Sequence, residues 1–90
     1  MFTKGQIVFS KMGRDKGKAF IIVDVLDNEE TVYLCDGKHH KLCKPKKKNV
    51  KHIQKTNYID KEIGSLLEDE GYIQDAMLRR ALLPYVNKLF

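Results

Sequence analysis

Gln6-Ile7-Val8-Phe9-Ser10-Lys11-Met12-Gly13-Arg14-Asp15-Lys16-Gly17-Lys18-Ala19-Phe20-Ile21-Ile22-Val23 is the stretch that decides the fold. β-Branched and aromatic residues flank a glycine-punctuated basic segment, which predicts two strands joined across residues 11–18. The two glycines allow backbone conformations that a Cβ would resist, and they let a ligand come close to the main chain. Lys11, Arg14, Lys16 and Lys18 are then cations on a fixed scaffold, an arrangement suited to phosphates.

Working outward, five short strands are predicted near residues 6–10, 19–26, 31–35, 41–44 and 49–54. Asp27-Asn28-Glu29 closes the second onto the third, and Asp36-Gly37 suits a tight turn toward the fourth. Thr31-Val32-Tyr33-Leu34-Cys35 alternates as a half-buried strand does. The unbroken run Phe20-Ile21-Ile22-Val23 predicts a central strand covered on both faces. Several strands at short spacing imply a small barrel.

From Asn57 the period changes to about 3.6. Ile59, Ile63, Leu66 and Leu67 fall on one helical face, with Asn57 or Asp60 as N-cap and Gly71 as a stop. A second stripe follows through Leu78, Leu82, Tyr85 or Val86, and Leu89, with Pro84 either kinking it or opening a new short turn. The expected architecture is mainly β: a small five-stranded barrel over residues 1–55 and a C-terminal helical extension over 56–90. Packing against the barrel accounts for the helical apolar faces most simply, since a core this small benefits from enlargement; docking to a partner protein is the alternative.

Leu, Ile, Val and Phe make up 26 of the 90 residues, above the roughly 20% below which disorder becomes the default. The net charge of +5 is unevenly placed. Residues 1–56 carry thirteen Lys and Arg against six Asp and Glu, whereas residues 57–90 carry four against six. A basic surface confined to the β half is the footprint of a nucleic-acid binder, although an anionic membrane surface would also attract it. No run of 18 apolar residues occurs and Met1-Phe2-Thr3-Lys4 lacks a signal-peptide core, so a cytoplasmic protein without a membrane partner is expected.

Lys4-Gly5-Gln6-Ile7-Val8, followed by Gly13-Arg14-Asp15-Lys16-Gly17-Lys18 and the run to Val23, resembles the KOW motif of ribosomal proteins and transcription elongation factors. Asp36-Gly37 and Lys44-Pro45-Lys46-Lys47-Lys48-Asn49-Val50-Lys51-His52-Ile53 extend the similarity to the eukaryote-type large-subunit ribosomal protein fourteen family and its small bacterial relatives. It covers about residues 4–54, with departures at Gln6, where the motif often has Asp, and at Ala19-Phe20 in place of its second glycine region. The resemblance implies an SH3-like barrel that binds RNA on or near the large ribosomal subunit, with ribosomal or translation-associated proteins as further partners.

The densest cationic run, Lys44 to Lys51, is constrained by Pro45 and adds Lys44, Lys46, Lys47, Lys48 and Lys51 to the candidate RNA contacts. With Lys11, Arg14, Lys16, Gly17 and Lys18 these make the expected binding surface, all three of Lys46, Lys47 and Lys48 being taken as exposed. Arg14 is the best single candidate for a forked contact. Phe9, Phe20 and Tyr33 fit core packing better than base stacking, so structured RNA read through its phosphates is the expected target. Cys35, His39, His40 and Cys43 invite a zinc reading, but their spacing matches no common ligand pattern, and reduced thiols at strand positions are expected instead. No metal or other cofactor is called for. Ser10 lacks an evident base and the acids are scattered, so a non-enzymatic RNA-binding protein is expected. A protein-interaction adaptor of the transcription or translation machinery is the alternative.

Overall fold

The computed structural model describes residues 1–26 and 28–86. Five strands, β1 (Gln6–Ser10), β2 (Ala19–Val25), β3 (Thr31–Cys35), β4 (Lys46–Asn49) and β5 (Ile53–Ile59), precede two helices, α1 (Lys61–Glu68) and α2 (Asp75–Leu82). The strands form one antiparallel sheet in the order β4-β3-β2-β1-β5. A 3-10 turn of three residues, Val50–His52, links β4 to β5, which are its two edges. A flat sheet would hold those edges about 19 Å apart at roughly 4.8 Å per strand. The four peptide steps from Asn49 to Ile53 reach at most about 14 Å. The sheet is therefore bent, and its edges approach each other at that end.

The apolar run of β2 divides between two cores, as its lack of alternation predicts. Phe20 and Ile22 join Val8, Val32, Leu34 and Ile53 inside the bend, flanked by Phe2, Val25 and Val50. Ile21 and Val23 face the other way and pack with Ile7, Cys35, Ile63, Leu78 and Leu82. Both helices therefore cover the outer face of the sheet, each contributing through an amphipathic stripe. Asp60 caps α1 by accepting the Ile63 N–H, and Pro84 opens a new 3-10 turn, Leu83–Tyr85, after α2. Gly5 and Gly64 let α1 press on the start of β1: a Cβ on Gly5 would lie 2.6 Å from the Asp60 carbonyl oxygen, and one on Gly64 would lie 2.8 Å from that of Lys4.

Three expectations need correction. Residues 41–44 form a turn, not a strand: the Asp36 carboxylate accepts the amides of Lys38, His39 and His40, and the Leu42 N–H is taken by Asp75. The fourth strand is the lysine run itself, whose charge suits an edge. β5 starts four residues later than expected and continues to Ile59, so a boundary between residues 55 and 56 falls within the sheet and Ile59 lies outside α1. Gly71 does stop α1, its N–H closing the helix end onto the Leu66 carbonyl, and the left-handed residue before it is Glu70, at φ 52°. The expected roles of Asp27 in the β2–β3 turn and of Leu89 in the last stripe fall outside the described residues.

Candidate nucleic-acid interface

The bent sheet has a polar end. In the β3–β4 ladder Lys46 stands opposite Leu34 and Lys48 opposite Val32, which puts both lysines on the inner face; Lys47 stands opposite Tyr33 on the outer face. Ser10 lies two residues beyond Val8 and so shares that inner face. An amine and a hydroxyl placed there must find partners, because burial without them is costly. The loop between β1 and β2 supplies one.

Asp15 folds back from the loop and is 5% exposed. Its Oδ1 accepts from Ser10 Oγ at 2.8 Å and from Lys48 Nζ at 3.1 Å, and its Oδ2 accepts from Lys46 Nζ at 2.6 Å. Lys48 Nζ also donates to Ser10 Oγ and to the Met12 carbonyl, each at 2.9 Å. Burial alone would push the Asp15 carboxyl up. The hydrogen bonds from Lys46, Ser10 and Lys48 outweigh that and hold it well below the usual carboxylate range. Among the described residues no buried side-chain nitrogen or oxygen lacks a partner.

Main-chain bonds complete the loop. The Gly17 N–H donates to the Ser10 carbonyl at 2.8 Å, Ser10 N–H to Lys18 at 3.0 Å, and Lys18 N–H to Asp15 at 2.9 Å. Gly17 has φ 86°, yet nothing lies within 4 Å of where its Cβ would be, so the requirement is for conformation and not for space. Lys11, Arg14, Lys16 and Lys18 are all exposed. None of the four pairs with an acidic group among the described residues. The Lys11 N–H donates to the His52 carbonyl at 2.8 Å, which draws exposed Lys51 to the same end of the sheet.

The lysine run thus divides into different kinds of residue. The expectation that Lys46, Lys47 and Lys48 all lie free at the surface is wrong for Lys48, which is 9% exposed, and Lys46 has its amine engaged by Asp15. Strand alternation is the physical reason. Lys47 is exposed on the outer face, where with Asp24, Val25, Leu26, Asn28 and Thr31 it lines a shallow depression. Lys44 is exposed in the 41–44 turn, beside an open hollow of about 560 Å³ that it shares with His39, His40, Lys41, Cys43, Pro45 and Lys46.

Phe9 and Phe20 are buried and Tyr33 is half-buried, so the loop carries no stacking platform from these residues. Cys35 is buried in β3, where desolvation and the nearby charges of Asp75 and Asp36 push its thiol up to about 12. Cys43 is exposed in a turn, contrary to the strand position expected of it. Among the described residues no three His, Cys, Asp or Glu side chains are placed to hold a metal ion. Ser10 and Lys48 have the spacing of a nucleophile and base, but Ser10 has no exposed surface for a substrate to reach.

The Ser10–Asp15–Lys48 constellation escapes sequence reasoning because nothing in the lysine run marks which side chain turns inward. The signal is indirect: an acid inside a basic loop, and two lysines spaced by two. No protein-family model matches the chain, and no curated protein matches it. Among the described residues no helix is long and apolar enough to cross a membrane.

Proposed function

We propose that this protein is a non-enzymatic RNA-binding protein of the KOW type, associated with the ribosome or with translation, which binds structured ribosomal RNA. Its bent sheet is read as an SH3-like barrel, a reading supported by the short link between the two edge strands and by the separate apolar cluster inside the bend. The observation that carries the function is the loop at residues 11–18, where four exposed cations stand on a segment fixed by a buried carboxylate. Phosphates are the chemistry such a surface suits, and release of counterions supplies most of the affinity. With Phe9 and Phe20 buried, recognition through phosphate position and groove shape fits better than stacking on unpaired bases.

Crosslinking in cells, with sequencing of the attached RNA and sedimentation on a sucrose gradient, tests this. A peak on one region of ribosomal RNA together with migration alongside the large subunit is expected. Protein partners that survive nuclease treatment, without an RNA peak, would overturn it in favour of an adaptor. One observation favours that second reading: Tyr58 meets Tyr85 with ring centroids 5.3 Å apart, and Tyr58, Leu83 and Val86 are exposed in the same C-terminal half.

A further inference from the structure

We propose that Asp15, although an anion in a cationic site, is the positioning residue of the RNA-contacting loop: its carboxylate latches residues 11–18 onto β4 and so holds the exposed cations where phosphates meet them. This rests on the RNA-binding reading above. The latch has one acceptor oxygen on Ser10 and Lys48 and the other on Lys46, so a single side chain ties β1, the loop and β4 together. The Met12 carbonyl adds a second tie, from the loop main chain to Lys48. Lys46 and Lys48 then act through Asp15, and the phosphates are left to Lys11, Arg14, Lys16 and Lys18, which are exposed.

The alternative is that charge alone matters and that Asp15 merely weakens the site. The two accounts predict opposite signs. If only charge matters, Asp15→Asn removes a negative charge and releases two lysines, so RNA affinity and its salt dependence both rise. If Asp15 positions the loop, the freed loop wanders, ordered cation–phosphate contacts are lost, and both fall. Losing two contacts lowers the log–log salt slope by roughly 1.4 to 1.8 and the affinity at physiological salt by about tenfold.

Ser10→Ala is the companion variant, because it removes two latch hydrogen bonds, the one Ser10 Oγ donates to Asp15 and the one it accepts from Lys48, without changing any charge. Charge alone predicts no change for it, whereas positioning predicts weaker binding. The experiment measures binding of the full chain to a fluorescent ribosomal-RNA hairpin fragment across a salt series, at a temperature where circular dichroism shows each variant folded. Amide hydrogen exchange at Gly17 and Lys18 is followed in the same samples, with Ile63 as reference. Weaker binding and a shallower slope in both variants, with faster exchange at Gly17 and Lys18 but not at Ile63, are expected. Binding that is unchanged or tighter in Asp15→Asn would overturn the positioning role while leaving RNA binding intact. Should Asp15→Asn not fold, Ser10→Ala decides by the same criteria, with unchanged binding and unchanged loop exchange overturning the proposal. Wild-type protein that does not bind the hairpin at any salt concentration would overturn the functional reading and the latch's purpose with it.

Discussion

Replacing Lys48 by Met and, separately, Lys47 by Met removes the same charge from adjacent positions of one strand, yet the two variants should differ sharply in stability. The Lys48 amine makes three hydrogen bonds, one of them to a carboxylate, and its side chain is 8% exposed. A hydrogen bond to a charged group contributes about 1.5 to 3 kcal/mol. Stranding a buried charge altogether costs about 3 to 5 kcal/mol, but Lys46 still holds Asp15 in this variant, so the full penalty does not apply. A loss of about 2 to 4 kcal/mol follows, out of roughly 5 to 13 kcal/mol expected for a domain of this size. The melting temperature should fall by roughly 10 to 25 °C. Exposed Lys47→Met should stay within about 0.5 kcal/mol of wild type. Urea unfolding followed by circular dichroism gives both midpoints under identical conditions. Coincident midpoints for the two variants would refute the division of the lysine run into inward and outward residues.

Leu78→Ala opens a cavity at a fully buried position between α2 and the sheet, so a loss of about 3 to 5 kcal/mol is expected by the same unfolding assay; a change below 1 kcal/mol would mean that α2 does not share the sheet's core. Gly17→Val, which must adopt φ near 86° with no steric obstacle at its Cβ, should cost about 1 to 3 kcal/mol and raise amide exchange around the loop. Because the folded-state pKa of Asp15 is depressed, its contribution to stability is complete above the unfolded value of about 4 and declines as pH falls below it; Asp15→Asn should flatten the loss of stability on acidification that wild type shows. The raised Cys35 pKa acts at the other end, with stability lost as pH rises from the unfolded thiol range toward 12. A thiol reagent at neutral pH should label one cysteine, Cys43, in the folded chain and two in denaturant.

The parts of the fold that periodicity controls are legible in the sequence. Gln6 to Ser10, Ala19 to Val25 and Thr31 to Cys35 are strands because β-branched residues flank turn residues, and Ile63, Leu78 and Leu82 are buried because they repeat at helical spacing. β4 is not legible. Lys46 to Asn49 has no apolar alternation, and its position is set by pairing with β3, by the anchoring of residues 36–42 on Asp36 and Asp75, and by the Asn49 cap on the following turn. The exposed loop cations are readable because they lie in a segment punctuated by Gly13 and Gly17 between two apolar strand runs. The latch behind them is not, because Asp15, Ser10 and Lys48 meet across as many as 38 residues of chain, and only the register of the folded sheet turns Lys48 inward.

Affinity for a ribosomal-RNA hairpin as a function of salt tests the central claim most directly. If the four exposed cations of residues 11–18 each neutralise one phosphate, log affinity should fall with log salt with a slope of roughly 3 from the loop alone. Changing Lys11, Arg14, Lys16 and Lys18 together to Ala should remove that dependence and most of the binding while the fold persists, since all four are exposed. Affinity that does not respond to salt, or a quadruple variant that binds as wild type does, would contradict the assignment of RNA recognition to this loop.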